Sequence, residues 1–376
     1  MKITNVQAVP LRVPAESTEH LDGSQDDVII RVQTDKGIEG IGEVDASPEI
    51  VKAIVEAPAS HSWSKGLRDI LVGENPFDIE ALWERMYRGS IYYGRRGVAI
   101  AAISGLDIAL WDLAGKATGQ PINELLRAKI KDRIAVYASL YPIGETPEEV
   151  KENCRKAIQK GFHAVKPDGP PLGRDPKLDS EILRGAREAI GEKNELMTDV
   201  AEPGWDLKQA IARARMYSNY NAYFLEAPFG PDELESYRAL SQAVDIRIAY
   251  GEQHTTRYEF MDLMDRGKVN VVQPDISRAG GITELRRIAQ IANDRGVLMI
   301  PHCWKTGISI AANLQLLSTL SNSPYLEFSQ PPSSPLRYEL LKHDFSVHDG
   351  FVEVPKGPGL GIELNENIVE KYRVDG

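Results

Sequence analysis

Cysteine is scarce in this sequence. The 376 residues include only Cys154 and Cys303, which lie far apart and lack the C-x-x-C spacing of zinc and redox sites. A disulfide framework and a cysteine-based metal site are therefore excluded as organising features. A reducing compartment fits this composition best.

An excess of positive charge is also lacking. The chain carries 44 Lys and Arg against 55 Asp and Glu, which gives a formal net charge of −11. Such a chain offers no basic stripe that would neutralise phosphates, so we expect neither nucleic acid nor a membrane surface as a partner. A small molecule is the expected partner.

Long apolar segments are the third absence. We identify no run of about 18 apolar residues of the kind that crosses a bilayer. The first residues, MKITNVQAVPLRVP, alternate like a strand and lack the apolar core and cleavage site of a signal peptide. We therefore expect a cytoplasmic protein.

From about residue 133 onward, short apolar runs alternate with segments of helical period. The eight runs are 134–141, 163–168, 195–200, 222–226, 246–252, 269–275, 297–302 and 325–328. This alternation is typical of βα units, and eight runs predict an α/β fold with a closed (β/α)8-type TIM barrel over residues 131–335.

The flanking segments have a different pattern. Residues 1–130 combine strand-like alternation, a DKG turn signal and two helical stretches, which predicts an α+β capping domain. Residues 336–376 include FVEVPKGPGLGIEL, which we interpret as strands that return to this domain. Residues 14–27 are polar and contain Gly, and are a candidate mobile loop.

Ionisable residues stand at or near the C-terminal end of barrel runs two to eight. They are Lys166, Asp199, Glu226, Glu252, Asp275, His302 and Glu327. In a barrel of this kind the C-terminal strand ends open on one face, where active sites lie, so these residues are expected to converge. One such charge is more often a solvated loop residue, but recurrence at seven strand ends indicates a site.

Three consecutive runs supply the carboxylates Asp199, Glu226 and Glu252. Brought to one barrel mouth, they would repel each other unless a cation lay between them. Hard oxygen ligands favour Mg²⁺, which keeps coordination positions for water or substrate oxygens. We therefore expect a Mg²⁺ site.

Asp275 and His302 come from neighbouring runs, which allows a hydrogen bond that would fix the imidazole tautomer. The alternative for His302 is a core histidine satisfied by backbone groups. The following segment PHCWKTG contains Pro and Gly and indicates a strand-to-loop exit, which favours the dyad.

The whole chain resembles the mandelate racemase subgroup of the enolase superfamily, which contains many acid-sugar dehydratases. The resemblance rests on VKPD, LMTDV, FLEAP, YGEQ, VVQPDISRAGGITE, IPHCWKTG and YLE in this order, with SGLDIALWDLAGKATGQPI before them and GPGLGIEL after them. It implies Mg²⁺ bound by Asp199, Glu226 and Glu252, and removal of the proton α to a substrate carboxylate. It also implies that Asp275 and His302 form the acid/base dyad and that Glu327 hydrogen-bonds the substrate carboxylate.

One departure from the subgroup bears on the reaction. The common Lys-x-Lys at the second strand is replaced by Lys166-Pro167-Asp168. Racemisation needs an acid/base on each face of the planar intermediate, whereas one residue can remove the α-proton and then protonate a departing hydroxyl. The missing second lysine therefore favours dehydration of a sugar acid, with His302 acting in both steps and Lys166 paired with substrate carboxylate or Asp168.

Other functions stay open from the sequence. A cycloisomerase that opens a sugar-acid lactone is the alternative, followed by a racemase or epimerase. The non-enzyme alternative is a catalytically silent sugar-acid-binding barrel, against which the full ligand set and dyad argue. We also expect a homo-oligomer.

Four residues are candidate substrate contacts: Asp168, His20, Tyr141 and Lys305. For His20, Tyr141 and Lys305 a surface or packing role is at least as consistent with the sequence.

Overall fold

The chain forms two sheets. The structure is a computed structural model that describes residues 1–14 and 23–374. His20 and most of the predicted loop 14–27 lie outside the described residues. The strands are β1 (Ile3–Arg12), β2 (Asp26–Thr34), β3 (Glu39–Val44), β4 (Arg133–Leu140), β5 (Ala164–Pro167), β6 (Glu195–Asp199), β7 (Ala222–Glu226), β8 (Arg247–Tyr250), β9 (Val271–Val272), β10 (Leu298–Met299), β11 (Leu326–Ser329) and β12 (Phe351–Glu353).

Helices fill the intervals between these strands. They are α1 (Pro48–Glu56), α2 (Leu67–Leu71), α3 (Ile79–Gly89), α4 (Ile91–Gly94), α5 (Val98–Thr118), α6 (Ile122–Leu125), α7 (Pro147–Gln159), α8 (Pro176–Ile190), α9 (Leu207–Ser218), α10 (Leu234–Ala243), α11 (Thr256–Asp265), α12 (Gly281–Asp294), α13 (Gly307–Leu317), α14 (Pro335–Glu339) and α15 (Glu366–Tyr372).

The larger sheet contains eight parallel strands in the order β10-β9-β8-β7-β6-β5-β4-β11. Helices α7 to α13 connect them in turn, and each predicted apolar run contains one of the strands. The predicted α/β barrel architecture is therefore confirmed.

We predicted a closed barrel, but between its end strands β10 and β11 the structure differs from that prediction. The described residues form no strand ladder between β10 and β11. There the backbone N–H of Met299 donates to Asn322 O at 3.0 Å, and the N–H of Cys303 donates to the Glu327 side chain at 2.9 Å. The curled sheet is thus joined at this seam by isolated hydrogen bonds.

The smaller sheet is antiparallel, in the order β1-β2-β3, and belongs to the cap. Helix α5 lies against β3 at very short range. A Cβ atom on Gly42 would stand 2.0 Å from the carbonyl oxygen of Gly105, and one on Gly105 would stand 2.4 Å from Val44 Cγ2. Only glycine at both positions permits this approach.

Gly42→Ala is therefore expected to destabilise the protein by about 3 kcal/mol, because the clash is with backbone and the helix must move away. Gly185→Ala is the control, since Gly185 lies within α8 and its added Cβ would meet its nearest neighbour at 3.5 Å. Chemical denaturation of both variants measures the effect. Equal midpoints for Gly42→Ala and the wild type would contradict this account of the packing.

Among the described residues, α5 is the one helix that could cross a bilayer by length and composition alone, and 89% of its most apolar stretch is buried inside the protein. Its polar side chains are satisfied there, since Asp107 accepts hydrogen bonds from the backbone N–H and hydroxyl of Thr283 at 2.9 and 2.6 Å. Helix α5 is therefore a core helix that packs between the capping sheet and helix α12 of the barrel.

The C-terminal segment returns to the cap through its last helix. Arg31 of β2 pairs with Glu366 at 2.6 Å, and Leu11 bridges to Arg373. The strand β12, which we expected to join the capping sheet, pairs instead with β4 of the barrel in antiparallel orientation.

Candidate active site

Side-chain alternation along the barrel strands decides which residues reach the mouth. The barrel interior is filled by Tyr137, Ala164, Met197, Phe224, Ala249, Val271 and Ile300, one from each of seven strands. Because side chains alternate with period two, the residue two positions after Ala164, Met197, Phe224 or Ile300 points to the same interior side. Those residues are Lys166, Asp199, Glu226 and His302.

Proline ends the regular pairing beside three of the site residues. Pro167, Pro274 and Pro301 directly precede Asp168, Asp275 and His302. Proline has no N–H to donate to a neighbouring strand, which limits regular pairing at these positions, and Asp168 keeps only an isolated parallel bridge with Asp199. The residue that follows each proline thus lies at the barrel mouth.

Lys166 is the centre of a buried ionic cluster. Its ammonium lies 2.8 Å from Glu327 and 2.9 Å from Glu226, with Asp199 at 3.5 Å and Asp168 at 3.6 Å. Burial lowers the pKa of Lys166, but Glu226 and Glu327 raise it, and the net direction is well above the ordinary value. Lys166 is therefore protonated, and one positive charge faces four carboxyl groups.

Glu252 departs from the period-two pattern. It follows Gly251, whose φ of +147° favours glycine and whose Cβ would stand 2.7 Å from the Phe260 ring. This turn shifts the next side chain by one position, and the Glu252 carboxylate reaches a point 3.4 Å from His302 Nε2.

His302 and Asp275 form the predicted pair. Nδ1 of His302 lies 2.6 Å from Asp275 Oδ2, while the backbone N–H of Ser277 donates to Oδ1 of the same carboxylate at 2.7 Å. The carboxylate accepts from Nδ1–H, so Nε2 is the ring nitrogen available at the mouth. Burial lowers the pKa of His302, but Glu252 and Asp275 raise it, to about 10 overall.

A cavity of about 350 Å³ opens above these groups. It is lined by Gly23, Asp45, Tyr141, Asp168, Asp199, Ala201, Glu202, Ala227, Glu252, Gln253, Arg278, His302 and Trp304. The structure thus places the candidate contacts Asp168 and Tyr141 beside Asp199, Glu252 and His302.

Two candidate residues lie behind this lining. The Lys305 ammonium donates to Gly23 O at 2.6 Å and to Asp26 O at 3.1 Å, so it holds the start of β2 instead of facing the cavity. Glu327 is fully buried, and Lys166 and His302 lower its pKa to about 2 although burial acts to raise it. In the structure the Glu327 carboxylate is paired with the Lys166 ammonium at 2.8 Å.

The sequence reasoning missed Asp45 and Arg278. Asp45 follows β3 of the cap, and Arg278 follows β9 of the barrel. Arg278 donates to Asp45 Oδ2 through Nε at 2.8 Å and pairs with it through Nη2 at 2.6 Å. The motif VVQPDISRAGG contained Arg278, but no feature of the sequence near Asp45 indicated its partner.

The carboxylates Asp199, Glu226 and Glu252 could hold a divalent cation. Asp199 and Glu226 are register partners in the β6–β7 ladder, and Glu226 Oε1 is buried without a hydrogen-bond partner. A buried carboxylate oxygen that lacks a donor is satisfied by a cation. This oxygen-rich set fits a hard ion such as Mg²⁺.

A second potential ligand group is better explained without a metal. Ligand atoms of Asp45, Asp275 and His302 lie within 4.8 Å of one another. Asp45 is already neutralised by Arg278 and by Lys305, whose ammonium lies at 3.3 Å. Asp275 is engaged by His302 and Ser277, so this group is the dyad together with an ion-paired cap residue.

A larger cavity, of about 490 Å³, lies on the outside of the barrel near α12 and the segment after α13. None of the strand-end residues lines it. The site chemistry is therefore concentrated in the smaller cavity.

Family comparisons agree with this architecture. Residues 1–127 match the N-terminal domain of mandelate racemase and muconate lactonizing enzyme, and residues 149–368 match the enolase C-terminal domain-like family. Both parts of the chain are thus covered by models of the same superfamily.

Individual relatives cover nearly the whole chain. It is 30% identical to D-galactarolactone cycloisomerase of Agrobacterium fabrum over 100% of this chain and 99% of that protein. It is 32% identical to D-galactonate dehydratase of Pectobacterium atrosepticum over 91% and 90% of the two chains. The crystal structure of 3,6-anhydro-D-galactonate cycloisomerase from Zobellia galactanivorans has a TM-score of 0.89 at 30% identity, with both chains fully covered. The chain is therefore an enzyme of the mandelate racemase and muconate lactonizing enzyme family, within the enolase superfamily.

Proposed function

We propose that this enzyme removes the proton α to the carboxylate of a sugar acid and then eliminates water, which gives a 2-keto-3-deoxy sugar acid. The observation that carries the proposal is the asymmetry of the two basic residues. His302 presents Nε2 to the cavity, with the Glu252 carboxylate 3.4 Å away, whereas the Lys166 ammonium is held at 2.9 and 2.8 Å by Glu226 and Glu327. A single residue placed to exchange protons suits elimination better than racemisation.

His302 is assigned to both proton transfers. Nε2 takes the α-proton, the electron pair forms the C=C bond, and the bond between the β-carbon and its hydroxyl oxygen breaks. The proton on Nε2 then passes to the departing hydroxyl, which leaves as water, and the enol product becomes the keto acid. Asp275 orients the imidazole ring and stabilises the imidazolium between the two proton transfers.

Lys166 is assigned to charge stabilisation. Because it stays protonated, it can attract the substrate carboxylate, whose negative charge grows when the α-proton leaves. When bound, a divalent cation on Asp199, Glu226 and Glu252 supplies further positive charge for the substrate carboxylate and offsets the Glu252 charge that raises the pKa of His302. Mg²⁺ is the proposed ion.

A cycloisomerase is the second candidate. Its reaction uses the same α-proton removal, with a ring oxygen in place of a hydroxyl as the leaving group. D-galactarolactone cycloisomerase and the Zobellia 3,6-anhydro-D-galactonate cycloisomerase both match over 100% of this chain. This coverage is the specific observation that favours the alternative.

The test is a screen of five- and six-carbon sugar acids, their lactones and their anhydro derivatives, read by ¹H NMR. We expect a 2-keto-3-deoxy acid from at least one hydroxy acid, formed with Mg²⁺ and not with EDTA. Product from lactones or anhydro acids alone would move the assignment to a cycloisomerase. Absence of turnover from every compound would contradict both and favour a silent binding barrel.

A further inference from the structure

We propose that the substrate is a monocarboxylic sugar acid whose far end is uncharged, such as an aldonate, and that the cavity selects against dicarboxylic sugar acids. This inference deepens the proposed function and rests on it. The observations behind it are the charged residues that line the cavity and the contacts that Arg278, the one described arginine in the lining, makes with the protein.

The cavity lining is dominated by acidic residues. Its carboxylates are Asp45, Asp168, Asp199, Glu202 and Glu252, whereas its basic side chains are Arg278 and His302. Asp199 and Glu252 belong to the proposed cation site, and His302 is the proposed base. The groups left to meet the rest of a substrate are therefore the Asp45–Arg278 ion pair, Asp168 and Glu202.

Three contacts with protein partners engage the Arg278 guanidinium. Its Nε and Nη2 contact one oxygen of Asp45 at 2.8 and 2.6 Å, and Nη1 lies 3.4 Å from the Glu252 carbonyl oxygen. The Asp45 side chain is 7% exposed and the Arg278 side chain is 29% exposed, so the carboxylate of the pair is the more shielded partner. A second substrate carboxylate would have to break this pair to reach the guanidinium.

No other described lysine or arginine lines the cavity. Lys305 donates to Gly23 and Asp26 and lies behind Asp45, and Lys166 is held by Glu226 and Glu327. Residues 15–22, outside the described part of the chain, add neither residue type, since their sequence is AESTEHLD. Besides Arg278, the described residues that line the cavity therefore include no permanent cation for a second carboxylate.

The same groups suit hydroxyls. Glu202 Oε1 accepts hydrogen bonds from Tyr250 OH and Gln253 Nε2, both at 2.8 Å, which holds the carboxylate in place at the cavity wall. Carboxylates accept hydrogen bonds from substrate hydroxyls but repel a substrate carboxylate. An uncharged polyol end is thus stabilised where a carboxylate would be buried without a partner.

The primary experiment compares kcat/KM for aldonates and for aldarates of the same configuration, so that each pair differs only at the terminal carbon. Because like-charge contacts at close range cost several kcal/mol, we expect the aldonate to be preferred by at least about 100-fold. Equal rates, or a preference for the aldarate, would overturn the proposal.

Two variants test whether the named charges cause the preference. Asp45→Asn frees the Arg278 guanidinium, and Glu202→Gln removes a negative charge without a change of shape. Each is expected to shrink the aldonate preference by about tenfold, since one charge of the lining has been altered. Asp265→Asn is the control, because Asp265 pairs with Arg295 away from the cavity at 2.8 Å and its loss should leave the ratio unchanged. An unchanged ratio in both cavity variants would overturn the proposal.

The charge preference can be tested separately from the proposed reaction. If no sugar acid is turned over, the proposed reaction is contradicted, and titration calorimetry with matched aldonates and aldarates in the presence of Mg²⁺ tests the charge preference alone. Tighter binding of the aldonate supports the preference. Equal or tighter binding of the aldarate, or no binding of either, overturns it.

Discussion

His302→Asn is expected to abolish both turnover and exchange of the substrate α-proton with solvent. Nε2 of His302 is the proposed proton-accepting atom, and Asp275 contacts the other ring nitrogen, Nδ1. Asparagine keeps polarity and similar bulk but cannot accept a proton near neutral pH. A general base contributes about 10² to 10⁴ in rate, and we expect a loss at the upper end because the same residue acts in both steps.

The measurement is α-proton exchange in D₂O by ¹H NMR, with a sugar acid identified by the screen. Asp168→Asn is the informative comparison, since burial raises the pKa of Asp168 to about 8, a value that would suit a base on the opposite face. We expect this variant to weaken binding or disturb Lys166 and to retain exchange. Exchange that survives in His302→Asn and is lost in Asp168→Asn would falsify the one-base mechanism.

Much of the barrel was predictable because its sequence signals are local. Each apolar run contains a strand, and the strand-end residues recur at the spacing of βα units. The period-two rule then places Lys166 and Glu226 on the interior side as soon as Ala164 and Phe224 are recognised as core. Local periodicity carries this information without any knowledge of tertiary contacts.

Two helices of the barrel, α10 and α11, have a weak signal in the sequence. α10 has the sequence LESYRALSQA and α11 has the sequence TRYEFMDLMD. Their apolar positions are fewer or interrupted by charges, so their helical period is weak. Packing against the barrel compensates for this weak local preference.

The parts that escaped prediction depend on contacts distant in sequence. Asp45 and Arg278 are 233 residues apart and come from the cap and the barrel. The positions of Lys305 and Glu327 behind the cavity follow from partners in other elements, Gly23 and Lys166. The position of a residue at a strand end was therefore enough to identify the ionisable residues of the site. It did not indicate which of these side chains face the cavity.

Glu226→Gln is expected to remove activity and the response to Mg²⁺ while the protein stays folded. Glu226 is buried, contacts Lys166 at 2.9 Å and carries an oxygen that lacks a hydrogen-bond donor. Glutamine has the same shape, so packing is kept, but it lacks the charge that a divalent cation requires. Turnover should fall by at least about 100-fold, in line with the loss of a charge-stabilising group at the reacting centre.

Thermal unfolding with and without Mg²⁺ separates this effect from misfolding. A bound ion stabilises the wild type by about 2.7 kcal/mol at a concentration 100 times its Kd, so its midpoint should rise on addition of Mg²⁺, whereas that of Glu226→Gln should not. Glu188→Gln is the matched control, because Glu188 forms an exposed pair with Lys151 at 2.6 Å and should keep both activity and the Mg²⁺ response. A Glu226→Gln variant that turns over substrate normally in EDTA would show that the cation site is assigned to the wrong residues. Normal Mg²⁺ stabilisation of that variant would show that Glu226 is not needed to hold the ion.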